Sequence, residues 1–103
     1  MVHHIVLWDL REELSGEEKK EAAAVIKEKL EAVKDKVEGV LSLEVVIDGL
    51  SSGNKDIGLI SVFESAEALD AYQTHPAHVE AAGYVKSVTC NRSCLDYEQS
   101  EES

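Results

Sequence analysis

Two stretches of this chain carry apolar side chains at both parities of a β-strand, and this constrains the fold more than any other feature. In residues 2–9, Val-His-His-Ile-Val-Leu-Trp-Asp, Ile5 and Leu7 alternate with Val6 and Trp8. In residues 57–63, Ile57, Leu59 and Phe63 alternate with Ile60 and Val62. Successive strand residues point to opposite faces of a sheet. A strand that is apolar on both sides is normally covered on both sides.

The rest of the chain shows what could cover them. Ser15-Gly16-Glu17-Glu18 is a capping box, with Ser15 as N-cap and Glu18 three residues on. Behind it Ala22, Ile26, Leu30, Val33 and Val37 form one apolar stripe at helical spacing, and Gly39 is expected to terminate that helix. Val40 to Ile47 reads as a second strand, Asp48 to Lys55 as a polar hairpin loop, and Ile57 to Phe63 as the third strand. Ser65 caps a helix through Tyr72. Pro76 opens a further helical segment to about Ser87, and Val88 to Tyr97 is the fourth strand. The order is β-α-β-β-α-β, the ferredoxin-like α+β arrangement: a four-stranded antiparallel sheet with helices on one face. Such helices cover one face only. The bare face would be an apolar patch of a size soluble monomers avoid, so a homodimer with the two sheets face to face is expected.

At 103 residues the chain is read as a single domain over 1–97. The end, Glu98-Gln99-Ser100-Glu101-Glu102-Ser103, is read as an acidic tail spanning 98–103. Net charge is -11, from 21 acidic and 10 basic residues, which argues against nucleic acid and anionic membrane surfaces as partners. No run approaches the roughly 20 apolar residues of a membrane span, and no secretory leader is visible, so a cytoplasmic location is expected. Cys90 and Cys94 on one strand would have Cα atoms about 13 Å apart. A disulfide needs roughly 4.4–6.8 Å, so free thiols are expected. C-x3-C alone supplies only two metal ligands. No cofactor motif is present, and neither a cofactor nor a metal is expected.

The chemistry-bearing segment is Tyr72-Gln73-Thr74-His75-Pro76-Ala77-His78-Val79, which places two of the four histidines around the only proline. A helix tolerates proline best in its first turn, so one helix should end near Thr74 and the next begin near Pro76. His75 then falls at the N-cap. His78 lies one turn in, near the orphan N–H groups, where neutral imidazole is favoured over imidazolium. A neutral imidazole can serve as a general base. The alternative for His78 is a helix-start histidine that hydrogen-bonds a carbonyl and packs over the sheet. Tyr72 sits on the apolar face of its helix, either as core or as a hydrogen-bond donor. His4 is read as a partly buried strand histidine with ligand contact as its alternative. His3 has the opposite parity and cannot share its cavity. His75-x-x-His78 with His4 has metal-ligand composition, but capping accounts for His75 without a metal.

His4-Ile5-Val6-Leu7-Trp8, Gly39-Val40-Leu41-Ser42-Leu43-Glu44, Phe63-Glu64, Leu69-Asp70-Ala71-Tyr72, His75-Pro76-Ala77-His78 and Asp96-Tyr97 together resemble the stress-responsive A/B barrel domain family. The resemblance spans residues 2 to about 97. It implies a dimeric α+β barrel of ferredoxin-like protomers. One branch, plant polyketide cyclases that close a resorcylic acid ring without a cofactor, implies a role for His78 as base and Tyr72 as hydrogen-bond donor. His4 would point to the same cavity, so that His4, Tyr72, His75 and His78 form the expected ligand pocket. The chain departs from that branch at Asp56-Ile57-Gly58, where a further histidine is missing, and at Val46, where glycine is usual. Three functions follow as expectations. The first is a dimer that binds a small hydrophobic or polyketide-like ligand. The second is a cofactor-free enzyme, either a cyclase or a monooxygenase. The third is a non-catalytic stress-response or structural dimer.

Overall fold

Local capping signals set most of the element boundaries in the structure, a computed structural model that describes residues 1–99. The chain runs β1 (Val2–Leu10), α1 (Gly16–Val33), a 3-10 turn (Lys34–Lys36), β2 (Val40–Val46), β3 (Ile57–Phe63), α2 (Ala66–Thr74), α3 (Pro76–Val88) and β4 (Thr89–Glu98). The Ser15–Glu18 capping box is formed in full at the start of α1. Ser65 Oγ accepts from the Ala68 N–H at the start of α2. The four strands make one antiparallel sheet in the order β2-β3-β1-β4. This is the ferredoxin-like α+β fold.

Alternation along β1 divides the two faces. Val2, His4, Val6, Trp8 and Leu10 are buried beneath the helices, together with Ile57, Leu59, Ser61 and Phe63 of β3. Ile26, Leu30 and Val33 of α1 close over them. On the opposite face Ile5 and Leu7 are only half-buried, and Ile60, Leu95 and Tyr97 are 41%, 60% and 41% exposed. His3 lies on this open face, stacked on Tyr97 with ring centroids 4.7 Å apart. The parity that separates His3 from His4 therefore holds.

The end of the first helix differs from expectation. α1 stops at Val33, and Lys34–Lys36 tightens into a 3-10 turn, a common way to finish an α-helix. Val37 is already extended yet remains buried, so it completes the apolar stripe from outside the helix. Gly39 does not cap α1 but makes the turn into β2, with φ +88. A Cβ there would stand 2.7 Å from Ala68 Cβ. At the other end, β4 includes Glu98, and the Gln99 N–H donates to Met1 O at 2.8 Å. Glu98 thus belongs to the sheet, and Gln99 is tied to Met1 just beyond it. The remainder of the acidic tail, residues 100–103, lies outside the described residues. Cys90 and Cys94 both lie on β4 and are free thiols.

Candidate functional site

The break at Pro76 builds the site. Pro76 has no N–H to donate and opens α3, and His75 precedes it as N-cap. The His75 Nδ1 accepts the Ala77 N–H at 3.1 Å. That bond occupies the ring, and His75 is not on the cavity wall described below.

The bend between α2 and α3 brings Tyr72 and His78 together, with ring centroids 4.4 Å apart. Tyr72 is fully buried, 5.0 Å from the Phe63 ring and 6.4 Å from that of His4. Its hydroxyl is buried with no hydrogen-bond partner among the described residues. Buried hydroxyls are normally satisfied, so this one stands out. Burial pushes the phenol up to about 12, which keeps its proton on and makes it a donor.

His78 Nδ1 lies 3.1 Å from the Gln73 carbonyl oxygen. A carbonyl only accepts, so this contact assigns the ring proton to Nδ1 and leaves the Nε2 lone pair available. Burial lowers the pKa of His78 below its ordinary value, and the nearby cations Arg92 and Lys86 lower it further, against the opposing effect of the Gln73 carbonyl. His78 is therefore neutral at physiological pH, with its basic nitrogen fixed.

His4 is 3% exposed, and its Nδ1 is hydrogen-bonded to the Asp96 carboxylate. The two residues are direct partners in the β1–β4 register. Cys94, two residues back along β4, has Sγ 3.8 Å from the same Nδ1.

A cavity of about 580 Å3 opens between α3 and the sheet. Its walls are His4, Val6, Trp8, Leu30 and Leu59 below and His78, Val79, Ala82, Gly83 and Val85 above. Two exposed cations, Lys86 and Arg92, stand among its lining residues in a chain of strong net negative charge. Tyr72 lies beside the cavity, behind the two histidines, and is not on its wall. A second depression of about 510 Å3, lined by Asp9, Arg11, Glu12, Lys19 and neighbours, is charged and contains no histidine. Of the four expected pocket residues, His4 and His78 line the cavity, Tyr72 packs against both without lining it, and His75 falls outside. Sequence reasoning missed Asp96, Arg92 and Lys86. The first two share the helix-side parity of β4, a signal usable only once its register with β1 is known.

Fold and site together define a ferredoxin-like α+β protein with a histidine-lined cavity between helix and sheet. The sequence profile of the Stress Responsive A/B Barrel Domain family matches residues 2–99, and the chain belongs to that family. A dimeric protein of unknown function with a ferredoxin-like fold from Bacteroides fragilis is 34% identical, covers 95% of each chain and superposes with a TM-score of 0.88. A family protein from Mesorhizobium loti, 20% identical over 95% of each chain, superposes at 0.72. A candidate antibiotic biosynthesis monooxygenase from Deinococcus radiodurans, 16% identical over 98% of this chain and 94% of that one, superposes at 0.77 and shares the fold. No curated protein matches the chain. Among the described residues no helix is long and apolar enough to cross a membrane.

Proposed function

We propose that the protein is a homodimer whose cavity binds a small, carbonyl-rich, hydrophobic acid and closes it by a cofactor-independent aldol-type reaction. In this scheme His78 Nε2 removes an acidic proton from a carbon between two carbonyls. Tyr72 donates a hydrogen bond to the enolate oxygen that develops. The carbanion attacks a ketone carbon further along the same molecule, the ring C–C bond forms as the C=O π bond opens, and the resulting alkoxide takes back the proton held on His78 Nε2.

The observation that carries this reading is the pairing of a neutral imidazole, with its basic nitrogen free, and a buried phenol whose hydroxyl has no protein partner. A ligand entering past His78 supplies the acceptor that Tyr72 lacks. The apolar walls suit a polyketide-like chain, and Lys86 and Arg92 suit a carboxylate at its end. The dimer rests on the exposed Ile60, Leu95 and Tyr97 of the open sheet face and on dimeric relatives such as the Bacteroides fragilis protein.

The reading is tested by thermal shift against linear β-polyketo acids, phenolic acids and fatty acids, for wild type, Tyr72→Phe and His78→Ala. Stabilisation of the wild type by the β-polyketo acids alone, lost in both variants, supports it. Equal response of all three proteins places any binding elsewhere and rejects it.

A further inference from the structure

We propose that His4, Cys94 and Asp96 form a binding site for a thiophilic divalent cation of the zinc type, at the sheet edge beside the cavity. The three side chains converge because of strand register. His4 on β1 faces Asp96 on β4, and Cys94, two residues away, lies on the same side of the strand. Their ligand atoms lie within 4.8 Å of one another. Cys94 Sγ is 3.8 Å from His4 Nδ1 and 3.6 Å from Asp96 Oδ1. A tetrahedral zinc ion with ordinary bond lengths separates a sulfur from a nitrogen or oxygen ligand by about 3.6 Å. Both sulfur distances therefore already match those of a loaded site. His4 Nδ1 and Asp96 are instead hydrogen-bonded to each other, and the ion takes the place of the shared proton. Asp96 has a side chain 43% exposed and has room to move outward by the small distance required.

The donor set fits a borderline-soft ion. A thiolate, an imidazole and a carboxylate select zinc or cobalt over magnesium or calcium, which prefer oxygen alone. On loading, the Cys94 thiol releases its proton to solvent and binds as thiolate, and the proton between His4 Nδ1 and Asp96 also leaves to solvent, the neutral imidazole carrying its remaining proton on Nε2. Three protein ligands leave a fourth position for water or a ligand oxygen, the pattern of an open site. His4 also lines the cavity, so that position adjoins it. The inference does not depend on His78 acting as a base.

Zinc titration followed by calorimetry, with cobalt as spectroscopic probe, tests it on wild type, Cys94→Ala, Asp96→Asn and the control Cys90→Ala. Cys94 and Asp96 are exposed on an edge strand, so their variants should fold, which circular dichroism verifies. One ion per chain is expected, with a sulfur-to-cobalt charge-transfer band. Because even outer-shell changes cost about 10- to 100-fold in metal affinity, Cys94→Ala and Asp96→Asn should each weaken zinc by at least that much. Cys90→Ala should leave it unchanged. Zinc binding that survives Cys94→Ala undiminished, a cobalt spectrum without the thiolate band, or no binding at all overturns the proposal.

Discussion

Tyr72 and His78 lie across the α2–α3 break with their rings 4.4 Å apart and their planes inclined by 50°. One ring holds a buried donor without a protein partner, and the other holds a basic nitrogen whose tautomer is set by the Gln73 carbonyl. The arrangement depends on Pro76. Were α2 and α3 one continuous helix, positions 72 and 78 would be offset by about 240° around its axis and could not meet.

The first prediction concerns Tyr72→Phe. A buried polar group without a partner costs about 1–3 kcal/mol, so removing the hydroxyl should leave stability unchanged or raise it by about 1 kcal/mol. Ligand binding and turnover should fall in the same variant. A melting curve and a binding isotherm on one preparation check both. A large loss of stability would mean that the hydroxyl is satisfied in solution.

His78 makes a prediction about pH. Its folded pKa lies below its unfolded value, so unfolding takes up a proton as pH falls past the ordinary histidine range. Its contribution to stability is therefore complete above about pH 6.5 and is lost as pH falls towards its lowered folded pKa. Chemical denaturation between pH 5 and 8 should show a shallower acid limb in His78→Gln than in wild type. A proton-abstraction rate should titrate with an apparent pKa below that of free imidazole. The comparison between variant and wild type isolates the share of the acid limb that belongs to His78.

A third prediction tests the open sheet face. Ile60→Asp or Leu95→Asp places a charge on residues that are exposed in the protomer and do not contribute to its core. Each should turn a dimer into a folded monomer, measured by light scattering with circular dichroism. If the mass in solution is that of one chain for the wild type also, the dimer is wrong.

Gly39 supplies the fourth. At φ +88 any other residue is strained, and a Cβ would overlap Ala68 Cβ at 2.7 Å. Backbone strain alone costs about 1–3 kcal/mol, and the overlap adds to it, so Gly39→Ala should lower stability by at least that amount. Gly16→Ala, where a Cβ meets nothing, is the control.

The sequence was most readable where its signals were local. The Ser15 box, the Ser65 cap, the Pro76 break and the His75 N-cap each act within a few residues, and each was legible. The two-faced alternation of β1 and β3 gave the sheet and its bare side. The end of α1 was misread because glycine marks both helix ends and strand entries, and here Gly39 serves a contact with Ala68 far along the chain. The site was legible only in part. Tyr72 and His78 stand in one segment, whereas Asp96 and Cys94 join His4 through a register between strands about 90 residues apart in sequence. No local pattern encodes that register. Nor did spacing show that Tyr72 would stand behind the histidines rather than on the cavity wall, or that the His75 ring would be spent on a backbone N–H.

The most direct measurement is the rate of ring closure of a linear β-polyketo acid by wild type and by His78→Ala, with product identified by mass spectrometry and the uncatalysed rate subtracted. Wild type should form the cyclised product well above background. Loss of a positioned base removes typically 10²–10⁴-fold of rate, so His78→Ala should fall by about that factor while still melting cooperatively. Equal rates for both proteins, or closure no faster than in buffer for an acid that demonstrably binds, would contradict catalysis at His78 and leave the cavity as a binding site.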